Sequence, residues 1–161
     1  GYKPKIVTVG KALLFPSAVG AMGDLGLGMS TEVWWTPAFP FKSSLTGETS
    51  AKLAADYEAT AKKQWTQPLG YSHALWEVAL DALKRSGNPH DRKAVRDAIL
   101  STQLQTLVGP VSWKGGPVKN IAKTAVLGGQ WVRGGKFKYD LVIVDNTTAK
   151  VVPAAAKLKP L

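Results

Sequence analysis

Pro68-Leu-Gly70-Tyr71-Ser-His73-Ala-Leu75-Trp76-Glu77-Val78-Ala79-Leu-Asp81-Ala-Leu83 repeats its apolar residues at helical intervals. Leu75, Val78, Ala79 and Leu83 fall on one stripe, which predicts a helix over 71–85 with that stripe turned inward and Ser86-Gly87 as its end. Gln67-Pro68-Leu69-Gly70 breaks the pattern before it. Two more helices flank this one. Residues 48–64 carry Leu53, Ala54, Tyr57 and Ala61 on one face. Asn88-Pro89 is a start signal, with asparagine as N-cap, proline at the first helical position and Asp91 near the positive end of the dipole. The helix it opens holds Val95, Ala98 and Ile99 inward.

On both sides of this helical middle the periodicity is that of strands. Upstream, Lys5-Ile-Val-Thr-Val9 is a short β-branched run after Pro4 and reads as a buried strand. Pro16 opens a short helix, Ser17 to Met22, which stops at Gly23, Gly26 and Gly28. Met29 to Trp35 alternate as a second strand and leave their sheet at Pro37. Residues 38–47 connect it to the helices. Downstream, Val111-Ser-Trp113 is bounded by Gly109-Pro110 and Gly115-Gly116. Ala125 to Val132 and Phe137 to Val144 flank Arg133-Gly134-Gly135, a hairpin signal. The tail from Asn146, rich in alanine, lysine and proline, is expected to lie extended on the surface. The order β-α-β-ααα-β-β-β is α/β, and strands separated by three helices must find one another.

The composition limits what the chain can do. Its 161 residues are 45% hydrophobic and 20% charged, which suits a globular chain able to bury a core. No apolar run approaches the roughly 20 residues of a membrane helix. There is no cysteine, hence no disulfide or thiolate chemistry. The opening Gly-Tyr-Lys-Pro, without methionine, is expected of a processed or truncated product. The net charge of +10 raises a nucleic acid or polyanion as partner. The basic residues are scattered from Lys3 to Lys159, however, and the doublets Lys62-Lys63, Lys84-Arg85 and Arg92-Lys93 sit beside acidic residues on helices. A solvated face explains them better, and no nucleic acid is expected.

Catalytic chemistry finds little to stand on, and the chain is not expected to be an enzyme. His73 and Glu77 stand at i and i+4, as metal ligands can, but without a third ligand; an imidazole beside a carboxylate is the plainer reading. No Gly-x-Ser-x-Gly elbow occurs. Gly23-Asp-Leu-Gly26-Leu-Gly28 has glycines like a dinucleotide loop, but it precedes a strand instead of joining strand to helix, so turn glycines explain it and no cofactor is expected. Six tryptophans are many for this length. Trp34 and Trp35 are adjacent on a strand and must point to opposite faces, one into a core and the other free to line a cleft.

Taken in order, these landmarks resemble the leucine/isoleucine/valine-binding proteins of ABC importers. Pro4 to Lys11, the short helix and the strand ending in Trp35-Thr36-Pro37 resemble a late segment of their second lobe. Ala51 to Lys63 and Pro68 to Leu83 resemble helices returning to the first lobe. Asp91 to Ile99 resembles the family's "VRDAL" helix, and Thr106-Leu-Val-Gly109-Pro-Val-Ser-Trp113 its "T-x-x-G-x-V-x-F" turn. Gln130-Trp131-Val132 with Leu141 to Val144 resembles the closing hairpin.

The resemblance implies a type I periplasmic binding protein, two doubly wound lobes closing on a small solute, of which only the C-terminal portion is represented. It implies residues 1–36 in lobe 2, 37–120 in lobe 1, 121–145 in lobe 2 again, and 146–161 as tail. The partners it implies are a small-molecule solute, a membrane permease and the N-terminal part of the same protein, in the periplasm. Lobe 1 would lack its parallel strands, leaving the Leu75 stripe uncovered. The resemblance also suggests ligand-binding positions: Gly10 and Lys11, Tyr71 at the cleft edge, and Trp34 or Trp35. Amino-acid binders place an acid where Gly10 and Lys11 stand. A lysine suits a carboxylate, so an organic or aromatic acid is expected before a zwitterionic amino acid. A solvated surface lysine is the other reading of Lys11.

Overall fold

Strand β5, Tyr139–Asp145, turns Tyr139, Leu141 and Ile143 inward, and β4, Leu127–Arg133, lies antiparallel to it with Trp131 opposite Leu141. β1, Ser30–Val33, adds to the other edge of β4, antiparallel, pairing Ser30 with Gln130 and Val33 with Leu127. The order β1-β4-β5 thus brings together strands nearly a hundred residues apart. Gly129 is required at the crossing, because a Cβ there would stand 2.5 Å from Val33 Cγ2 and 2.8 Å from Leu141 Cδ1. The Trp131 indole is buried and donates to the Leu13 carbonyl at 3.0 Å, and α1, Pro16–Met22, covers the sheet beside it. These coordinates come from a computed structural model that describes residues 1–161.

The helical middle forms its own group. α2 spans Ser50–Ala61, α3 Gln67–Ser86 and α4 Arg92–Leu100; β2, Gln103–Thr106, and β3, Gly109–Ser112, form a separate antiparallel hairpin beside α3. The sheet and the three helices pack as distinct groups, and one apolar core links them through Trp35. Trp35 is 0% exposed, crosses Trp65 edge-on at 5.8 Å, and donates its indole N–H to Ser50 Oγ at 3.0 Å.

Several expectations need correcting. The run Lys5–Val9 contributes a single parallel bridge, Thr8 to Ser30, because only its inner edge has a neighbour, and Ile6 is half exposed. Gln67 to Gly70 is not a break but the first turn of α3, with Pro68 where its missing N–H costs nothing. α4 starts later than Asn88: the Asp91 carboxylate accepts from the N–H groups of Lys93 and Ala94, while Asn88 Oδ1 is taken up by His90 N in a turn. In α4 only Ala98 is buried, and Ile99 lies largely exposed. β2 went unread, being a short polar strand, Gln-Leu-Gln-Thr. The tail carries no helix or strand, yet it is pinned: Lys159 N donates to Gln130 Oε1 and the Val152 side chain is fully buried.

The stripe on α3 is divided: Val78 packs against the core and Ala79 is half-buried, while Leu75 and Leu83 stand open, as expected of a stripe without its covering strands. Gln67, Gly70, Ala74, Glu77 and Ala82 face in, whereas Leu75 and Trp76 are 69% and 68% exposed and Leu80 and Leu83 also lie open. Small and polar residues let the helix sit close on Trp35 and the β2–β3 turn, which leaves its bulky apolar face outward.

Gly70 sets that close approach. A Cβ on it would fall 2.0 Å from Trp35 Cγ, whereas one on Gly20, inside α1, would meet nothing within 4 Å. Gly70→Ala is expected to lower stability by at least about 2 kcal/mol through overpacking, and Gly20→Ala to raise it by about 0.5–1 kcal/mol through helix propensity. Urea unfolding of both variants checks this; equal midpoints would contradict the packing.

Candidate functional site: an apolar cavity with one ammonium group

Beyond Val33 the chain leaves the sheet, and the two adjacent tryptophans part. Trp35 turns into the core. Trp34, 38% exposed, turns to a cavity of about 490 Å³ open to solvent on one side. Lys11, Leu14, Trp34 and Thr124 line it from the sheet side, α3 contributes Tyr71, Ala74, Leu75 and Val78, and the β2–β3 hairpin contributes Val108 and Val111. The rings of Trp34 and Tyr71 approach to 6.2 Å between centroids at 58°, a tilted pair forming one wall.

Three of the five residues singled out in the sequence, Lys11, Trp34 and Tyr71, therefore meet at one cavity. The other two lie off it. Trp35 is fully enclosed, since adjacent strand residues face opposite ways and the core takes the second indole. Gly10 sits behind Lys11 against Glu32, whose carboxylate would stand 3.6 Å from a Cβ there.

Lys11 takes a left-handed backbone, φ 46°, uncommon for a side-chain-bearing residue. Glu32 Oε1 holds it by accepting the Lys11 N–H at 2.9 Å. The Lys11 ammonium has no carboxylate or hydrogen-bond partner in the chain, so the one charged residue lining an otherwise mainly apolar cavity is uncommitted. Such a lining suits a molecule with a flat apolar body and one anionic end.

Three further residues build the site without having been read from the sequence. Glu32 was an ordinary strand residue there. Gln67 looked like part of a break, yet its amide bonds the backbone on both sides of Val33. For Glu77 the sequence offers a metal ligand with His73 or, more plainly, a carboxylate beside an imidazole, and neither reading gives it a backbone partner. No three metal-ligating side chains cluster anywhere in the chain. Glu77 is buried instead, its Oε2 accepting from Leu107 N at 3.1 Å and lying 3.3 Å from His73 Nδ1. It thereby ties α3 to the turn that carries Val108 into the cavity wall. A single signal was available for it: a lone glutamate amid Leu, Trp, Val and Ala.

The basic residues are partly neutralised where they cluster. Arg85 binds Asp81 at 2.7 Å and Lys93 binds Asp97 at 3.1 Å. Hydrogen bonds from Arg96 and Lys93 hold the Asp97 carboxyl below its usual range, and the Asp56 hydrogen bond raises Lys52.

No protein-family profile matches the chain, and no curated protein matches it in sequence. Solved structures do match in fold. A leucine-binding protein from Thermotoga maritima is 17% identical with a TM-score of 0.65, the match covering 84% of this chain and 36% of that one. A branched-chain amino acid ABC transporter protein from Rhodopseudomonas palustris is 12% identical with a TM-score of 0.65, covering 94% and 39%. An ABC transporter solute-binding protein from R. palustris, in complex with benzoate, is 16% identical with a TM-score of 0.55, covering 86% and 34%. The chain has the α/β fold of the type I periplasmic binding proteins. It spans little more than a third of the length of these chains, and its structural neighbours are substrate-binding proteins of ABC transporters. No helix is long and apolar enough to cross a membrane.

The Glu77 contact can be tested in isolation. Glu77→Gln keeps an acceptor for the Leu107 N–H, whereas Glu77→Leu leaves that buried donor unpaired at a cost of about 1–3 kcal/mol. Amide exchange at Leu107 should accelerate in the leucine variant and stay slow in the glutamine variant. Equal exchange in both would show that the turn does not depend on Glu77.

Proposed function

We propose that this chain forms the C-terminal part of the solute-binding component of an ABC importer, acting in the periplasm and taking a small organic acid, aromatic by preference, for delivery to a membrane permease. The observation that carries the reading is the meeting of an unpaired lysine with the Trp34–Tyr71 pair over an apolar cavity. The benzoate bound by one structural neighbour supports the aromatic-acid class. Residues 1–36 and 121–145 belong to one lobe in this reading and 37–120 to the other, with 146–161 as a tail over the first. The boundary then runs through the cavity, Lys11 and Trp34 on one side and Tyr71 on the other, as capture between two lobes requires.

The uncovered stripe Leu75, Trp76, Leu80 and Leu83 fits the same reading. In a doubly wound lobe such a helix face rests on parallel strands, here supplied by the N-terminal part of the protein.

Charge decides between acid and amino acid. A charge-assisted pair at a partly desolvated lysine contributes roughly 1.5–3 kcal/mol, so Lys11→Ala should weaken benzoate binding about ten- to hundredfold. Lys11→Glu should weaken it further by setting two like charges face to face. Calorimetry of the full-length protein with benzoate, benzamide and leucine tests this. Benzoate should bind most tightly and benzamide should be indifferent to Lys11. Tight leucine binding unaffected by Lys11→Ala would overturn the reading.

A further inference from the structure

We infer that Gln67, which does not itself line the cavity, is the positioning residue that sets the gap between Trp34 and Tyr71 and so governs solute affinity. The inference rests on the solute-binding reading above and adds a residue to it.

Along β1 the residues 30, 32 and 34 present their backbone N–H and C=O groups to one edge, following the period of two. At Ser30 that edge is satisfied by the N-terminal segment: Ser30 N donates to Val7 O and Val9 N to Ser30 O, both at 2.9 Å. The segment then turns away through Gly10 and Lys11, leaving the Glu32 carbonyl and Trp34 N–H without a strand partner. Gln67 takes its place. Its Nε2 donates to Glu32 O at 3.0 Å and its Oε1 accepts from Trp34 N at 2.6 Å, so one side-chain amide completes the ladder as a backbone peptide would.

Gln67 is 0% exposed and is the first residue of α3. Tyr71 stands four residues on, along the same helical face. A helix whose first residue is fixed to the Trp34 backbone presents Tyr71 to the Trp34 ring at one distance and tilt. The Glu32 side chain, from the same strand position that Gln67 holds, accepts the Lys11 N–H. All three cavity residues singled out in the sequence are thus referred to one buried amide, which spans the proposed lobe boundary.

The test uses Gln67→Met, close in length but without hydrogen-bonding groups, with Ser50→Ala as a control that removes the buried Trp35 hydrogen bond from the same region. Two quantities are read in the full-length protein: amide exchange at Trp34 and the affinity for benzoate. The Trp34 amide should be protected in the unaltered protein although it lies beyond the last ladder pair, Val33 with Leu127. In Gln67→Met it should exchange at least tenfold faster, with affinity about tenfold weaker, while Ser50→Ala lowers stability and leaves both unchanged. An unprotected Trp34 amide in the unaltered protein, or benzoate affinity maintained in Gln67→Met, would overturn the inference. Should the unaltered protein bind no benzoate, the solute reading falls and with it the role in affinity, while protection of Trp34 still decides whether the clamp exists.

Discussion

The burial of the Trp35 indole organises this molecule. It lies where the sheet, the start of α3 and the Ser50 end of α2 converge, closed off by Trp65 on its edge and by the bare backbone of Gly70. A side chain that size removes on the order of 200 Å² from water, a burial that only the equally enclosed Trp131 matches in the core. Because Trp35 must go in, its neighbour Trp34 must come out. The cavity wall is in that sense a by-product of the core: alternation along one strand supplies a buried anchor and a cavity-lining ring from consecutive residues.

The same economy runs through α3. Its inward face is built of small and polar residues, Gly70, Ala74, Glu77 and Ala82, so the helix lies close enough for Gln67 and Glu77 to serve as backbone partners for β1 and for the β2–β3 turn. Both polar groups are buried, and each completes hydrogen bonding at a place where strand pairing runs out. The bulky residues are displaced to the outside, where Leu75 and Tyr71 border the cavity and Trp76, Leu80 and Leu83 form an open apolar face.

The sequence was legible where local pattern and tertiary demand agree. The β4–β5 hairpin, α1, α2 and the body of α3 follow directly from periodicity and turn residues, and the α/β reading with strands rejoining across a helical middle came from their order alone. It misled where a long-range contact overrides a local signal. Helical spacing identifies the Leu75 face of α3 but not which of its residues pack inward, because that depends on Trp35 filling the space beside Gly70. The turn at Gln67-Pro68 reads as a break until the Trp34 backbone is beside it. Of the site, Lys11, Trp34 and Tyr71 were accessible through resemblance and alternation. Glu32, Gln67 and Glu77 were not, since each works through a backbone group far along the chain.

The central claim is that Lys11, Trp34 and Tyr71 form one ligand site selective for an anionic end on an apolar body. The most direct measurement is a residue-resolved NMR titration of the full-length protein with benzoate, with benzamide as the uncharged comparison. The account predicts that the amide signals of Lys11, Trp34, Tyr71 and Val108 move together along a single binding curve with benzoate, and respond far more weakly to benzamide. Shifts gathered elsewhere, as in the groove between Arg92 and Trp113 on the far side of α4, or equal responses to the two compounds, would contradict it.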